Sequence, residues 1–287
     1  MSTTYDAQST AEAKEAEDGV TDQGFPVDEI DTSRPHPARM YDYFLGGWDN
    51  YEVDREAAQR VLDVAPDVVL GARANRAFLS RAVRHLVEGG IRQIIDIGTG
   101  IPTSPNTHEI AHSVSPDVRI AYIDNDPIVA THAGARLIGT GNTGFFLGDM
   151  RDPRTILEHP TISELIDFDE PVALLLVSVL HFVTDAEDPA GMLDTLREAL
   201  PAGSYLVLSH ATADFHTDVA PEVMEVYKKA TASLTARSHA DVLALFDGYD
   251  LIEPGLVQVP LWHPEGPELK PAELRKIGVY GGIGRKR

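Results

Sequence analysis

The sequence predicts an α/β protein whose core is a doubly wound, mostly parallel sheet of seven strands with an antiparallel last strand. Two observations lead to this fold class. Short apolar runs alternate with longer stretches of helical periodicity, which is typical of parallel strands joined by crossover helices. The last two predicted strands have no long helix between them, which indicates that the final strand runs in the opposite direction.

The chain before the sheet divides by composition into two predicted regions. Residues 1–30 carry eight acidic side chains against one lysine and few large apolar ones, so we expect a disordered, dispensable tail. Residues 31–90 are expected to form an N-terminal helical lid, with helices at about 54–64 and 72–87. The predicted sheet domain then covers residues 91–287.

An aromatic segment, residues 38–51, lies within the predicted lid. It combines several aromatic side chains with a Gly-Gly pair, which permits a turn. We expect these rings to be buried and the segment to close over a bound ligand. Tyr41, Tyr43 and Asn50 are the candidate substrate-binding residues in this segment.

The most informative stretch is a glycine loop that follows the first predicted strand. Residues 94–97 are apolar apart from Asp96, and Gly98, Thr99 and Gly100 follow at once. The apolar run indicates a buried parallel strand. The two glycines let the backbone turn sharply and bring a ligand close to main-chain N–H groups. Open α/β sheets hold nucleotide-like ligands in this way.

Acidic residues also follow the next two predicted strands. The second strand, at about 118–123, is followed by Asp124, whose carboxylate can accept hydrogen bonds from both hydroxyls of a ribose. The third strand, at 143–147, is followed by Asp149 and Met150. These residues are expected to meet the glycine loop at the carboxyl edge of the sheet, where ligands bind.

Four further strands complete the prediction. The run at 172–179 is the most apolar and must be a central strand covered on both faces, and the fifth strand lies at 204–209. A long helical stretch is expected at about 218–234, and the last two strands at about 251–259 and 277–283.

Composition excludes several classes of function. The chain has no cysteine, which removes disulfides, thiolate metal sites and cysteine nucleophiles, and we predict no metal site. Its formal net charge of −21 disfavours a nucleic-acid partner. No apolar stretch approaches the length of about 20 residues that spans a bilayer, and the N-terminus lacks a secretory signal. We therefore expect a cytoplasmic protein without a membrane partner.

The run from Asp96 to Gly100, Asp124 after the second strand, Asp149 and Met150 after the third, and the apolar fourth strand that ends near Ser178 are the features that matter here. Together they resemble the class I S-adenosylmethionine-dependent methyltransferases, which have a Rossmann-like fold. More narrowly, the chain resembles a bacterial group of S-adenosyl methyltransferases that was formerly catalogued as a domain of unknown function. The segments that carry this narrower resemblance are 39–47, 74–78, 96–103, 122–127, 180–183 and 209–214.

The resemblance implies S-adenosylmethionine as the cofactor and a set of contacts to it. The loop of residues 98–100 would pass under its methionine and ribose. Asp124, with Asn125 alongside, would hold the ribose hydroxyls, while Asp149 would face the adenine amino group and Met150 would pack on the ring. The predicted cofactor-binding residues are Asp96, Gly98, Thr99, Gly100, Asp124, Asn125, Asp149, Met150 and Ser178.

Methyl transfer from a sulfonium needs alignment of the reacting atoms more than an acid for the leaving group. A hydroxyl acceptor would also need a base with a near-neutral pKa. His181 is the first candidate because it follows the fourth strand, where Ser178 is expected near the sulfonium, and His210 after the fifth strand is the second. Without a cysteine for cytosine transfer, the expected acceptor is an oxygen or nitrogen of a small molecule.

Two other functions stay open at this point. One is a catalytically silent module that senses S-adenosylmethionine or a related nucleoside. The other is an NAD-dependent oxidoreductase, but its G-x-G-x-x-G fingerprint would require glycine where Thr103 stands, and Asp124 lies 26 residues after Gly98 rather than about 20. We therefore predict binding of S-adenosylmethionine and S-adenosylhomocysteine, and no binding of NAD.

Overall fold

An eight-stranded sheet lies at the centre of the fold in a computed structural model, which describes residues 31–136 and 141–287. The predicted tail, residues 1–30, lies outside the described residues. The strands are β1 (Gln93–Ile97), β2 (Arg119–Asp124), β3 (Thr143–Leu147), β4 (Ala173–Val177), β5 (Tyr205–Ala211), β6 (Tyr249–Leu251), β7 (Val257–Gln258) and β8 (Val279–Lys286).

The strand order is β3-β2-β1-β4-β5-β8-β6, and the two-residue strand β7 also pairs with β8. Strands β1 to β5 run parallel to one another, whereas β8 is antiparallel to β5, β6 and β7. The predicted mostly parallel sheet with a reversed last strand is thereby confirmed.

Helices flank this sheet and also precede it. They are α1 (Pro37–Leu45), α2 (Glu52–Val64), α3 (Val68–Glu88), α4 (Thr107–Val114), α5 (Pro127–Arg136), α6 (Pro153–Leu157), α7 (Pro160–Leu165), α8 (Pro189–Ala199), α9 (Ala220–Tyr227), α10 (His239–Ala244) and α11 (Pro271–Leu274). Within the part of the chain that the structure describes, no helix is both long enough and apolar enough to cross a membrane.

Both faces of the sheet are covered because successive strand residues point to opposite sides. On β1, Ile94 packs with side chains of α3 and α4, whereas Ile95 and Ile97 pack with those of α6, α7 and α8. All five residues of β1 are buried, as expected for a central parallel strand.

Residues 31–90, which contain α1–α3 and which we call the lid, pack on the sheet domain through their own apolar cluster. Met40 and Phe44 of α1 meet Val61 of α2 and Tyr227 of α9. The expectation that the aromatic segment is buried throughout is wrong at Trp48 and Tyr51, which are 91% and 40% exposed.

Two expectations about the second half of the chain need correction. The predicted strand at 251–259 is two short strands, β6 and β7, because Pro254 and Gly255, with φ +86°, interrupt it. The predicted helix at 218–234 is helical only over α9. Beyond it, the backbone of Ala230 and Thr231 bonds to the lid segment instead: the Arg34 guanidinium donates to the Ala230 carbonyl, and the Thr231 N–H to the Pro35 carbonyl.

Candidate functional site

A cavity of about 300 Å³ lies at the carboxyl ends of β1 to β4, below the lid. The first four strands end there in parallel, so the segments that follow them converge on one edge of the sheet. We call this space of about 300 Å³ the first cavity. All nine predicted cofactor-binding residues line it: Asp96, Gly98, Thr99, Gly100, Asp124, Asn125, Asp149, Met150 and Ser178.

The glycine loop passes beneath this cavity in a conformation that requires glycine. Gly98 has φ +75° and Gly100 φ +68°, both in the left-handed region. A Cβ on Gly98 would lie 2.6 Å from a methyl group of Val179, whereas a Cβ on Gly100 would meet no atom within 4 Å. Gly98 therefore keeps space for Val179, while Gly100 leaves open the space above the loop.

Asp124 holds this loop in position. Its Oδ2 accepts a hydrogen bond of 2.7 Å from the Gly100 N–H, and its Oδ1 accepts one of 3.0 Å from the Asp126 N–H. The side chain is 5% exposed, and burial raises its pKa above the ordinary value. Each carboxylate oxygen keeps a second lone pair for a ligand donor.

Asp96 is a second buried carboxylate at the floor of the cavity. Its Oδ2 accepts a hydrogen bond of 2.7 Å from the Thr107 hydroxyl at the start of α4. Burial raises the pKa of Asp96 from 3.8 to about 6, although the Thr107 bond acts in the opposite direction.

A chain of polar contacts connects the loops after β2, β3 and β4. The Asn125 amide donates to Asp149 Oδ2 at 3.1 Å, and Arg151 Nη1 lies 3.2 Å from Asp149 Oδ1. Arg151 also donates to Glu187 and, at 2.8 Å, to the carbonyl of Phe182. Sequence reasoning missed Arg151, since a single arginine after a strand gives no sign of the two loops it joins.

The lid closes the first cavity from above through a buried arginine that sequence reasoning also missed. Arg39 is 1% exposed, and its Nε lies 3.3 Å from Asp126 Oδ2 and 3.5 Å from Asp54 Oδ1. The neighbouring His36 Nδ1 lies 3.1 Å from the same Asp126 oxygen. The lid is thus tied to the segment that directly follows Asp124.

A second cavity, of about 330 Å³, lies between the lid, α9 and the ends of β5 and β8. The two cavities adjoin, because five residues line both. We call these the junction residues: Pro37, Tyr41, Asn75, Ser178 and Phe182.

A hydrogen-bond network orders this junction. The Tyr41 hydroxyl donates to the Ala72 carbonyl and accepts from the Asn75 amide, both at 3.0 Å. Asn75 Oδ1 accepts from the Ser209 hydroxyl at 2.6 Å, and Ser209 Oγ accepts in turn from the Ser178 N–H at 3.0 Å. Ser178 has φ +60°, a strained conformation for a residue with a side chain, which the network holds in place.

The two candidate bases occupy different environments. His181 lines the second cavity, and its Nδ1 accepts a hydrogen bond of 3.3 Å from the Ala211 N–H. Burial and the nearby His210 and Arg237 hold the pKa of His181 well below its ordinary value, so the ring is neutral and carries its proton on Nε2. In this tautomer Nε2 donates a hydrogen bond and does not accept a proton.

His210 corrects the second prediction. It lies inside β5 rather than after it and lines neither cavity. Its Nδ1 lies 2.7 Å from the Ala211 carbonyl and its Nε2 lies 2.8 Å from Arg237 Nη1. Burial lowers its pKa to about 4. Both ring nitrogens have protein partners, and the side chain faces neither cavity.

The three candidate substrate-binding residues are also separated by the fold. Tyr41 lines both cavities, whereas Tyr43 and Asn50 line neither. The Tyr43 hydroxyl lies 3.5 Å from the Gln59 side chain on the outer face of the lid. The Asn50 amide donates to Asp42 Oδ2 at 2.7 Å and so positions a carboxylate that does line the first cavity.

Comparison with known proteins gives a consistent result. A family model described as S-adenosyl methyltransferase matches residues 23–287. A solved structure of a DUF574 family protein from Streptomyces avermitilis is 43% identical, has a TM-score of 0.86, and covers 90% of this chain and 100% of its own. Another solved structure, from Thermobifida fusca, is 37% identical, has a TM-score of 0.85, and covers 92% of this chain and 99% of its own.

A curated relative matches a shorter part of the chain. The ornithine lipid N-methyltransferase of Singulisphaera acidiphila is 33% identical over 88 residues, which is 30% of this chain. The match spans 45% of the length of that relative.

Proposed function

The chain belongs to the S-adenosyl methyltransferase family, whose cofactor is S-adenosylmethionine, and from this premise we propose that it transfers the methyl group of that cofactor to an oxygen or nitrogen of a small molecule. The observation that carries this proposal is the convergence of all nine predicted cofactor residues on the first cavity. We also propose that residues 31–90 act as the lid and residues 91–287 as the cofactor-binding domain.

The charge of the first cavity supports a cationic cofactor. Six carboxylates line it (Asp31, Asp42, Asp96, Asp124, Asp126 and Asp149), against three guanidinium groups (Arg39, Arg76 and Arg151). S-Adenosylmethionine brings a sulfonium and an ammonium group with one carboxylate, whereas NAD brings two phosphate charges. An acidic cavity favours the first ligand and disfavours the second.

The lining residues can hold the cofactor by ordinary contacts. Asp124 has lone pairs left that would accept hydrogen bonds from the ribose hydroxyls. The adenine ring would lie beside the Asn125–Asp149 pair and over Met150, which is 4% exposed. The space above Gly100 lets the ligand approach the loop closely. When bound, the cofactor supplies an activated methyl group, and the residues of this chain position it and exclude water.

The curated relative supports nitrogen as one acceptor to be tested, because that protein is an N-methyltransferase acting on a lipid. A screen of acceptors should therefore contain matched amines and alcohols. Transfer of tritiated methyl from S-adenosylmethionine to any member of the screen gives a direct measurement of the proposed reaction.

Calorimetry tests the cofactor before the acceptor is known. S-Adenosylmethionine and S-adenosylhomocysteine are expected to bind with a stoichiometry of one, and NAD is expected to give no binding heat. Binding of NAD without binding of either sulfur ligand would reject the proposal. Binding of both sulfur ligands without methyl transfer to any acceptor would favour the sensor alternative.

A further inference from the structure

The second cavity has no role in the contacts proposed for the cofactor, yet it opens directly onto them. It is about the same size as the first cavity, at about 330 Å³, and lies in the range of small-molecule sites. The junction residue Ser178 directly follows β4, where the cofactor's sulfonium is expected. A molecule in the second cavity would therefore meet the methyl group between Tyr41, Ser178 and Phe182.

The walls of the second cavity are mainly apolar. Phe44, Val68, Val223, Met224 and Leu234 line it, from the lid, α9 and the segment that follows α9. Its ionisable groups include the Asp67 carboxylate and the Lys276 ammonium, which pair with each other at 3.4 Å. Such walls favour a molecule with an apolar body, because burial of an unpaired charge against them is costly.

None of the junction residues carries a side chain that readily takes a proton, and the Asp218 carboxylate lines the second cavity alone, at an exposed position. Among the described residues that line both cavities there is no carboxylate and no histidine. The Tyr41 hydroxyl and the Asn75 amide already bond to protein partners. His181, next to Phe182, accepts from the Ala211 N–H through Nδ1, so its remaining nitrogen carries a proton. The other histidine of the cavity, His216, does not line the first cavity and lies against Gly278.

A hydroxyl acceptor must lose its proton as it attacks, whereas a neutral amine attacks with its lone pair and loses a proton afterwards. Resting on the proposed methyl transfer, we propose that the second cavity binds the acceptor, and that this acceptor is an apolar molecule presenting a neutral amine nitrogen at the junction. The nitrogen lone pair forms the new N–C bond while the S–C bond breaks and its electron pair stays on sulfur. The ammonium proton then passes to water.

A matched pair of probes separates nitrogen from oxygen. 4-Butylaniline and 4-butylphenol have the same shape, and both are neutral at pH 7. With the full chain saturated with S-adenosylhomocysteine, calorimetry is expected to show binding of the aniline, and with S-adenosylmethionine the tritiated methyl is expected on its nitrogen. Methylation of the phenol at an equal or greater rate would overturn the proposal, and so would failure of the aniline to bind.

Two variants that fill the second cavity test its location. Ala220→Phe and Ala65→Phe each add a ring to its wall, and Ala190→Phe adds the same ring at an exposed position of α8 that lines neither cavity. Each filled variant is expected to raise the Kd of 4-butylaniline at least about tenfold, while the control leaves it unchanged. Because two filled variants are made, the test still gives a result if one of them does not fold.

Binding of S-adenosylhomocysteine separates the two proposals. All three variants are expected to keep the affinity of the parent for this ligand. If S-adenosylhomocysteine binds and the filled variants still bind the aniline like the parent, the assignment of the second cavity to the acceptor is wrong, while the methyltransferase proposal stands. If S-adenosylhomocysteine does not bind the parent, the methyltransferase proposal itself fails.

Discussion

Asp124 shows at the scale of one residue how the strand end and the glycine loop are joined. Its carboxylate accepts hydrogen bonds from the Gly100 and Asp126 N–H groups, so the position expected to receive the ribose also holds the loop together. The same side chain therefore has a structural role and a proposed binding role, and a substitution will change both.

Asp124→Ala is expected to weaken binding of S-adenosylhomocysteine by about 1.5–3 kcal/mol, the range for hydrogen bonds that involve a charged group. The fold should survive, since the side chain lies at a strand end and not in an apolar cluster. Calorimetry measures the affinity and circular dichroism the fold. Asp117→Ala, at an exposed turn, is the control. Parent-like affinity in the Asp124 variant would leave this residue with the structural role alone.

Asp96 predicts a dependence of stability on pH. Because burial raises its pKa from 3.8 to about 6, the folded chain keeps a proton in this interval that the unfolded chain releases. The free energy of unfolding therefore falls as the pH rises from about 4 to above 6, by about 3 kcal/mol at 1.36 kcal/mol per pKa unit.

Asp96→Asn cannot ionise and should lack this loss. Urea unfolding at several pH values between 4 and 7 measures the difference between variant and parent, which isolates the contribution of Asp96. This difference is expected to grow in favour of the variant as the pH rises. A difference that does not change with pH would show that Asp96 titrates normally. Asp117→Asn serves as the exposed counterpart.

At the scale of elements, the sequence was sufficient where structure depends on neighbours in the chain. The ends of β1, β2 and β3 beside Gly98, Asp124 and Asp149 were predicted because each comes at or just after the end of a short, largely apolar run. The break between α6 and α7 is also a local feature, because Pro160 begins α7. Local propensity and hydrophobic pattern determine these features.

Features that depend on distant partners could not be predicted. His210 was placed after β5, but β5 continues because His210 pairs with Tyr280 and Ala211 with Val279 of β8. The second cavity likewise forms only when the lid, α9 and β8 meet. No local pattern around Tyr41 distinguishes it, at the junction, from Tyr43 on the outer face.

Asn75 joins the lid helix α3 to the ends of β4 and β5. Asn75→Ala would leave the Ser209 hydroxyl without its acceptor and the Tyr41 hydroxyl without its donor, both in largely buried positions. We expect a loss of about 1–3 kcal/mol in the free energy of unfolding. Urea unfolding measures it, with the slope m checked for constancy.

Asn142→Ala is the matched control for Asn75, because the amide of Asn142 donates at 3.2 Å to the Pro116 carbonyl in an exposed setting. The expected loss in the free energy of unfolding is smaller for Asn142→Ala than for Asn75→Ala. Equal losses in the two variants would mean that the junction network contributes no more than an ordinary surface hydrogen bond.

At the scale of the whole molecule, the lid and the sheet domain close the first cavity jointly, through the pairs of Arg39 and His36 with Asp126. A ligand in this cavity should therefore stabilise both regions at once. S-Adenosylhomocysteine at 100 times its Kd is expected to add about 2.7 kcal/mol to the free energy of unfolding. Thermal unfolding should show one shifted transition, with NAD giving no shift. Two transitions, only one of them shifted, would contradict a joint site.

The contact between the lid and the segment after α9 also has a consequence for synthesis. Arg34 and Ala230, which this contact joins, are 196 residues apart. At about 5–20 residues per second, the ribosome needs roughly 10–40 s to cover that distance. During this time the apolar side chains of α1 and α2 lack α9, the helix that packs against them in the folded chain. The first described part of the chain to leave the ribosome is thus among the last to be completed.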